Sequence, residues 1–93
     1  MKIVLANKND YDIVDFNERI AYNDEGDVNH TINFEVANPL SFAELKDIFN
    51  NENVATFIIK PTYGEALEYN NMKVVNVSYT INNNQVRREI RLR

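Results

Sequence analysis

Cysteine is absent from the 93 residues, so no disulfide, thiolate nucleophile or thiolate metal ligand can form. Histidine occurs once, at His30, which leaves the usual His/Cys zinc shells without ligands. The two glycines, Gly26 and Gly64, are too few for a close backbone cradle. No phosphate loop, dinucleotide fingerprint, nucleophile elbow or HExxH element occurs. Apolar runs such as Ile3 to Ala6 fall far short of a bilayer span, and neither a secretory leader pattern nor a lipidation motif is present. These absences lead us to expect a chain made and folded in the cytosol, with no enzymatic activity, cofactor, metal, small-molecule substrate or membrane partner.

What is present fits one domain spanning residues 1–93. Its apolar fraction of 44% and charged fraction of 26% are ordinary for a globular unit. The net charge of −4 is unevenly laid out. Residues 1–72 hold five Lys/Arg against thirteen Asp/Glu, whereas residues 73–93 hold five against one. Overall acidity argues against nucleic acid as a partner, because phosphate binding needs a net basic footprint. The five tyrosines lack the basic interleaving of a base-stacking platform. Asparagine, used sixteen times, supplies turn chemistry because it tolerates left-handed backbone angles.

The clearest local pattern is at the C-terminus. Val75, Val77, Tyr79 and Ile81 alternate with polar residues, and Val86, Ile90 and Leu92 alternate with charged ones on the far side of Asn82-Asn83-Asn84. A two-residue turn at Asn83-Asn84 pairs Ile81 with Val86, Tyr79 with Arg88, Val77 with Ile90 and Val75 with Leu92, which gathers the apolar residues on one face. Arg88 then lies against the Tyr79 ring. A second hairpin, turning at Asp24-Glu25-Gly26, pairs Tyr22 with Val28, Ile20 with His30, Glu18 with Ile32 and Phe16 with Phe34. The acidic residues of that turn lack the ligand spacing of a calcium loop. His30 falls on the apolar side of its strand and reads as structural.

Between the hairpins, Ser41 and Glu44 form a capping box, Leu40 and Leu45 a hydrophobic staple, and Phe42, Leu45, Ile48 and Phe49 an apolar stripe. The expectation is one helix over about residues 41–50, ended by Asn50 or Asn51 in the left-handed conformation. Strands are expected at Lys2 to Ala6, Tyr11 to Phe16 and Val54 to Lys60, the last of these in the sheet interior, with an extended piece at Ala66 to Tyr69. The predicted class is therefore α+β, mostly β: antiparallel hairpins forming a curved sheet or small sandwich or barrel, with one short α-helix packed on it.

Three stretches, MKIVLANKNDYDIVDFN, IAYNDEGDVNHTINFEV and SFAELKDIFNNENVATFIIK, resemble small proteins encoded in the tail-assembly gene modules of bacteriophages and prophages of Gram-positive bacteria. The resemblance covers about the first two thirds of the chain, and no catalytic residues carry over. It implies a structural component of a phage tail or tail-like particle, at the baseplate or tail tip, oligomeric in the assembly. Its partners would be other tail and baseplate proteins, and it would be located in the virion tail after assembly in the host cytoplasm. The basic end lies outside the resemblance. Arg87, Glu89, Arg91 and Arg93 share the outer face of the last strand and are the candidate protein interface, as an open edge facing an acidic neighbour or as charges that keep an edge strand soluble. The alternatives are a small acidic inhibitor of a host nuclease or DNA-binding protein, suggested by the acidity of residues 1–72, and a tail assembly chaperone.

Overall fold

Asn83 (φ 50°) and Asn84 (φ 64°) both adopt the left-handed conformation and turn the C-terminal third back on itself. This is the requirement of a primed two-residue hairpin, and asparagine meets it at lower cost than other side chains. In the computed structural model, which describes all of residues 1–93, the flanking strands are β6 (Val74–Asn82) and β7 (Gln85–Leu92). Their register pairs Ile81 with Val86, Tyr79 with Arg88 and Val77 with Ile90, as the alternation predicts. The Arg88 guanidinium lies 5.5 Å from the centre of the Tyr79 ring. The expected pairing of Val75 with Leu92 does not form. A bulge between Val74 and Asn76 sets Val74 opposite Leu92 and leaves Val75 exposed. Beyond the bulge Lys73 and Arg93 exchange both backbone hydrogen bonds, at 2.8 and 2.9 Å.

The first hairpin joins β2 (Asp10–Tyr22) to β3 (Val28–Val36). Gly26 takes φ 83° at the turn, and Asn23 Oδ1 accepts from the backbone N–H groups of Glu25 (3.0 Å) and Asp27 (2.9 Å). Tyr22–Val28, Ile20–His30 and Glu18–Ile32 pair as expected, but the pairing of Phe16 with Phe34 is interrupted by a bulge between Val14 and Asn17. Asp15 sits there at φ 55°. β2 serves two partners, its Asp10–Asp12 segment pairing with β1 (Lys2–Val4) and Ile13 onward with β3, and the bulge bends the strand shortly after that handover, within the β3 pairing.

With β4 (Thr56–Lys60) and β5 (Leu67–Asn70), the strands form one antiparallel sheet in the order β5-β4-β1-β2-β3-β7-β6. It is curved and not closed into a barrel. Curling brings Tyr69, on the β5 edge, against rings from the middle of the sheet: Phe16 at 6.4 Å and His30 at 6.1 Å. β4 is paired on both sides, as expected of an interior strand, but it starts at Thr56 because Val54 closes a second helix.

The single helix of residues 41–50 is in fact two. α1 (Phe42–Ile48) begins at the expected capping box, with Ser41 Oγ accepting from Glu44 N–H and Glu44 Oε1 accepting from Ser41 N–H, both at 3.1 Å. Asn50 does not end it in a left-handed conformation. It lies at φ −112°, and its side chain caps α2 (Asn51–Val54) by accepting from Asn53 N–H at 2.8 Å. The same amide donates to Asp47 O, so one residue satisfies the end of α1 and the start of α2. Leu45 and Phe49 are buried, Ile48 is half-buried, and Phe42 stays exposed beneath Lys46. Phe49 tilts against Tyr11 of β2 and Phe34 of β3, both at 5.8 Å, which ties the helical segment to the inner face of the sheet. That face carries the core: Ile3, Ile13, Ile32, Phe34, Phe57, Ile59, Ile90 and Leu92 are all buried.

Candidate interaction surfaces

Alternation along β7 sends Val86, Arg88, Ile90 and Leu92 inward and places Arg87, Glu89 and Arg91 on the outer face, with Arg93 following. β7, however, is hydrogen-bonded to β3 on one side and β6 on the other. It is not an edge, and the expectation of an open C-terminal edge is corrected accordingly. The reason is that Ile32–Glu35 of β3 offers a complementary apolar partner to Glu89–Leu92, which the local sequence around residue 90 does not reveal.

The four candidate residues are not one cluster. Arg87 Nη2 lies 3.7 Å from Glu35 Oε2 and Arg87 Nε 3.4 Å from Glu89 Oε1, while Arg91 Nε donates to Asn33 Oδ1 at 2.8 Å. With Asp15 these side chains line a shallow depression on the outer face. Arg93 stands apart at the end of the strand, beside Val28, Asn29, His30 and Thr31. The Arg87 side chain is 55% exposed, so its ion pairs contribute at most about 1 kcal/mol. The depression holds charges of both signs that largely satisfy one another, consistent with keeping the outer face solvated.

A second polar group, missed by sequence reasoning, lies on the inner face. Glu18 accepts at Oε1 from the Tyr69 hydroxyl (2.9 Å), and His30 Nε2 lies 2.7 Å from Glu18 Oε2. Burial first, then the Glu18 hydrogen bond and the Glu18 charge, push the Tyr69 phenol from 10.0 up to about 12. Tyr69 is therefore a hydrogen-bond donor at neutral pH. The carboxylate only accepts, so the His30 nitrogen facing it carries hydrogen in the neutral or the charged ring. This arrangement clasps the β5 edge to β2 and β3. His30 is paired within the sheet, on the face its position suggested, and Glu18, diagonal to it across the hairpin, was the available signal. Tyr69, 51 residues from Glu18, left none.

The unpaired backbone groups lie at the two ends of the strand order. β5 is short, only Leu67–Asn70, and carries Glu68, which are features that blunt an edge. β6 is nine residues long and contains no charged residue and no proline. Its start is guarded by the bulge at Val75 and by Asn51, whose Oδ1 accepts from Val74 N–H at 2.8 Å, while α1 packs beside the strand. Because the turn has two residues, Asn82 and Gln85 form a hydrogen-bonded pair, and pairing type then alternates along the hairpin. Asn76, Ser78, Thr80 and Asn82 direct their backbone groups to β7, while Val77, Tyr79 and Ile81 direct theirs outward. The exchange between Lys73 and Arg93 beyond the bulge keeps the same parity on β7. Ile81 is 65% exposed, so the edge also offers apolar side chain.

No protein-family model, curated protein or solved structure matches the chain.

Proposed function

We propose that the protein is a structural component of a bacteriophage tail or tail-like particle, in the baseplate or tail-tip region, acting by protein–protein assembly. The observation that carries this reading is the free β6 edge: a long, uncharged strand with outward-facing amides at Val77, Tyr79 and Ile81 is suited to extension by a strand of another subunit. The resemblance of residues 1–17, 20–36 and 41–60 to proteins of tail-assembly modules supplies the biological setting. Partners are then other tail and baseplate proteins, and the location is the virion tail after assembly in the host cytoplasm. Arg87, Glu89, Arg91 and Arg93 flank the working edge, one strand in.

Mass spectrometry of purified, high-salt-washed particles tests the reading. The expected result is the chain at a fixed ratio to known tail proteins. A chain abundant in lysate but missing from particles would refute it and favour the chaperone, or, if the chain is found in a salt-labile complex with a nuclease, the acidic inhibitor. Within particles, Ile81→Lys should abolish incorporation, while joint replacement of Arg87, Arg91 and Arg93 by Ser should spare it. The reverse result would return docking to the outer face of β7.

A further inference from the structure

We infer that β6 pairs with β6 of a second copy of this chain, antiparallel about a twofold axis through Tyr79. The inference deepens the assembly reading by naming a partner, and it rests on the same edge, but it has its own test. The regular part of β6 runs from the bulge to the turn, Asn76 to Asn82, and Tyr79 is its midpoint. A strand edge bonds to its like only where outward-facing residues meet outward-facing residues. An axis at Tyr79 satisfies this along the whole stretch: Val77 meets Ile81 of the second copy, Tyr79 meets Tyr79, and Ile81 meets Val77, each pair exchanging two N–H···O=C bonds. Moving the axis by one residue toward Ser78 brings Val75 of the bulge opposite Ile81. Moving it toward Thr80 leaves Val77 without a counterpart. Only the Tyr79 axis uses all three residues.

The side chains agree with this register. On the inner face, Val77 and Ile81 meet as apolar pairs, covering an Ile81 that is 65% exposed in the single chain. On the outer face Asn76 meets Asn82 and Ser78 meets Thr80, all neutral and able to hydrogen-bond. A twofold axis turns any charge near it toward its own copy, so a self-pairing edge is best left uncharged, and β6 carries no charge in a chain that is 26% charged. The arginine-bearing β7 strands stand three strand spacings apart, about 14 Å, beyond the screening length of physiological salt. The occupant that fits is thus a second copy, joined by an interface of the small, transient class.

The test combines sedimentation equilibrium with residue-resolved amide hydrogen exchange on the full chain, from about 10 μM to about 1 mM. Mass should rise from 10.9 kDa toward twice that value. Exchange at Val77, Tyr79 and Ile81 should slow by on the order of tenfold or more, with Ser78 and Thr80 protected throughout. Tyr79→Glu places a carboxylate opposite Arg88 within the chain but opposite its own copy across the axis, so this variant should stay at 10.9 kDa. Should it fail to fold, Ile81→Lys, at an exposed position, gives the same reading; Tyr79→Phe should still dimerise. A wild-type chain that remains monomeric at the highest concentration overturns the inference. So does a dimer in which those three amides exchange freely. Either result leaves the particle assignment to its own mass-spectrometric test.

Discussion

Replacing Tyr69 by Phe removes one hydroxyl and leaves the ring, which stacks on Phe57 at 5.0 Å between centres. What is lost is the hydrogen bond to Glu18, and a bond to a charged acceptor contributes about 1.5–3 kcal/mol when buried. Glu18 keeps its contact with His30, so part of its desolvation stays compensated, and we expect Tyr69→Phe to lower stability by about 1–2 kcal/mol at neutral pH. The pH dependence gives the sharper check. The folded phenol is raised from 10.0 to about 12, so its stabilising effect is fully present below the unfolded value and is lost as pH rises through the folded one. A shift of that size converts to at most about 3 kcal/mol, and solvent screening near the hydroxyl reduces it to roughly 1–2 kcal/mol. Urea unfolding of both proteins from about pH 8 to about pH 12 should give a constant gap up to about pH 10 that closes above it. Because other tyrosines and lysines titrate in the same range, the difference between the two proteins is the quantity to follow. A gap that is absent at pH 8, or that persists unchanged to pH 12, would refute the clasp.

Ser41→Ala breaks the capping box and should cost about 1 kcal/mol, read as a lower urea midpoint with unchanged slope. Phe49→Ala removes the ring that joins the helical segment to Tyr11 and Phe34, and a loss of about 3–5 kcal/mol is expected, large against the total for a domain of this size. Asp15→Gly, at a left-handed position, should leave thermal stability unchanged or raise it, whereas Asp15→Val should lower it by roughly 1–2 kcal/mol. Arg87→Ser should move stability by less than about 0.5 kcal/mol despite two ion pairs, because the side chain is mostly in water.

The sequence alone determined the short-range features. The Asn83-Asn84 turn, the registers of both hairpins near their turns, the Arg88–Tyr79 contact and the Ser41–Glu44 capping box were all legible, because each depends on residues within about a dozen positions and on period-two or capping chemistry. Expectations failed where a residue answers to more than its neighbours in sequence. Asp15 bulges within the β2–β3 pairing, shortly after β2 leaves β1, and Val75 bulges near the end of the β6–β7 pairing. Asn50 had two helix ends to satisfy, donating to Asp47 O at the first and accepting from Asn53 N–H at the second, and this prevailed over a left-handed stop. Tertiary structure by itself decided which strand is the edge. The basic outer face of residues 87–93 suggested an open edge, yet pairing of β7 with β3, more than fifty residues away, placed it inside the sheet and left the uncharged β6 exposed. Strand order depends on which apolar faces meet after the chain collapses, and a local alternation carries no record of that choice.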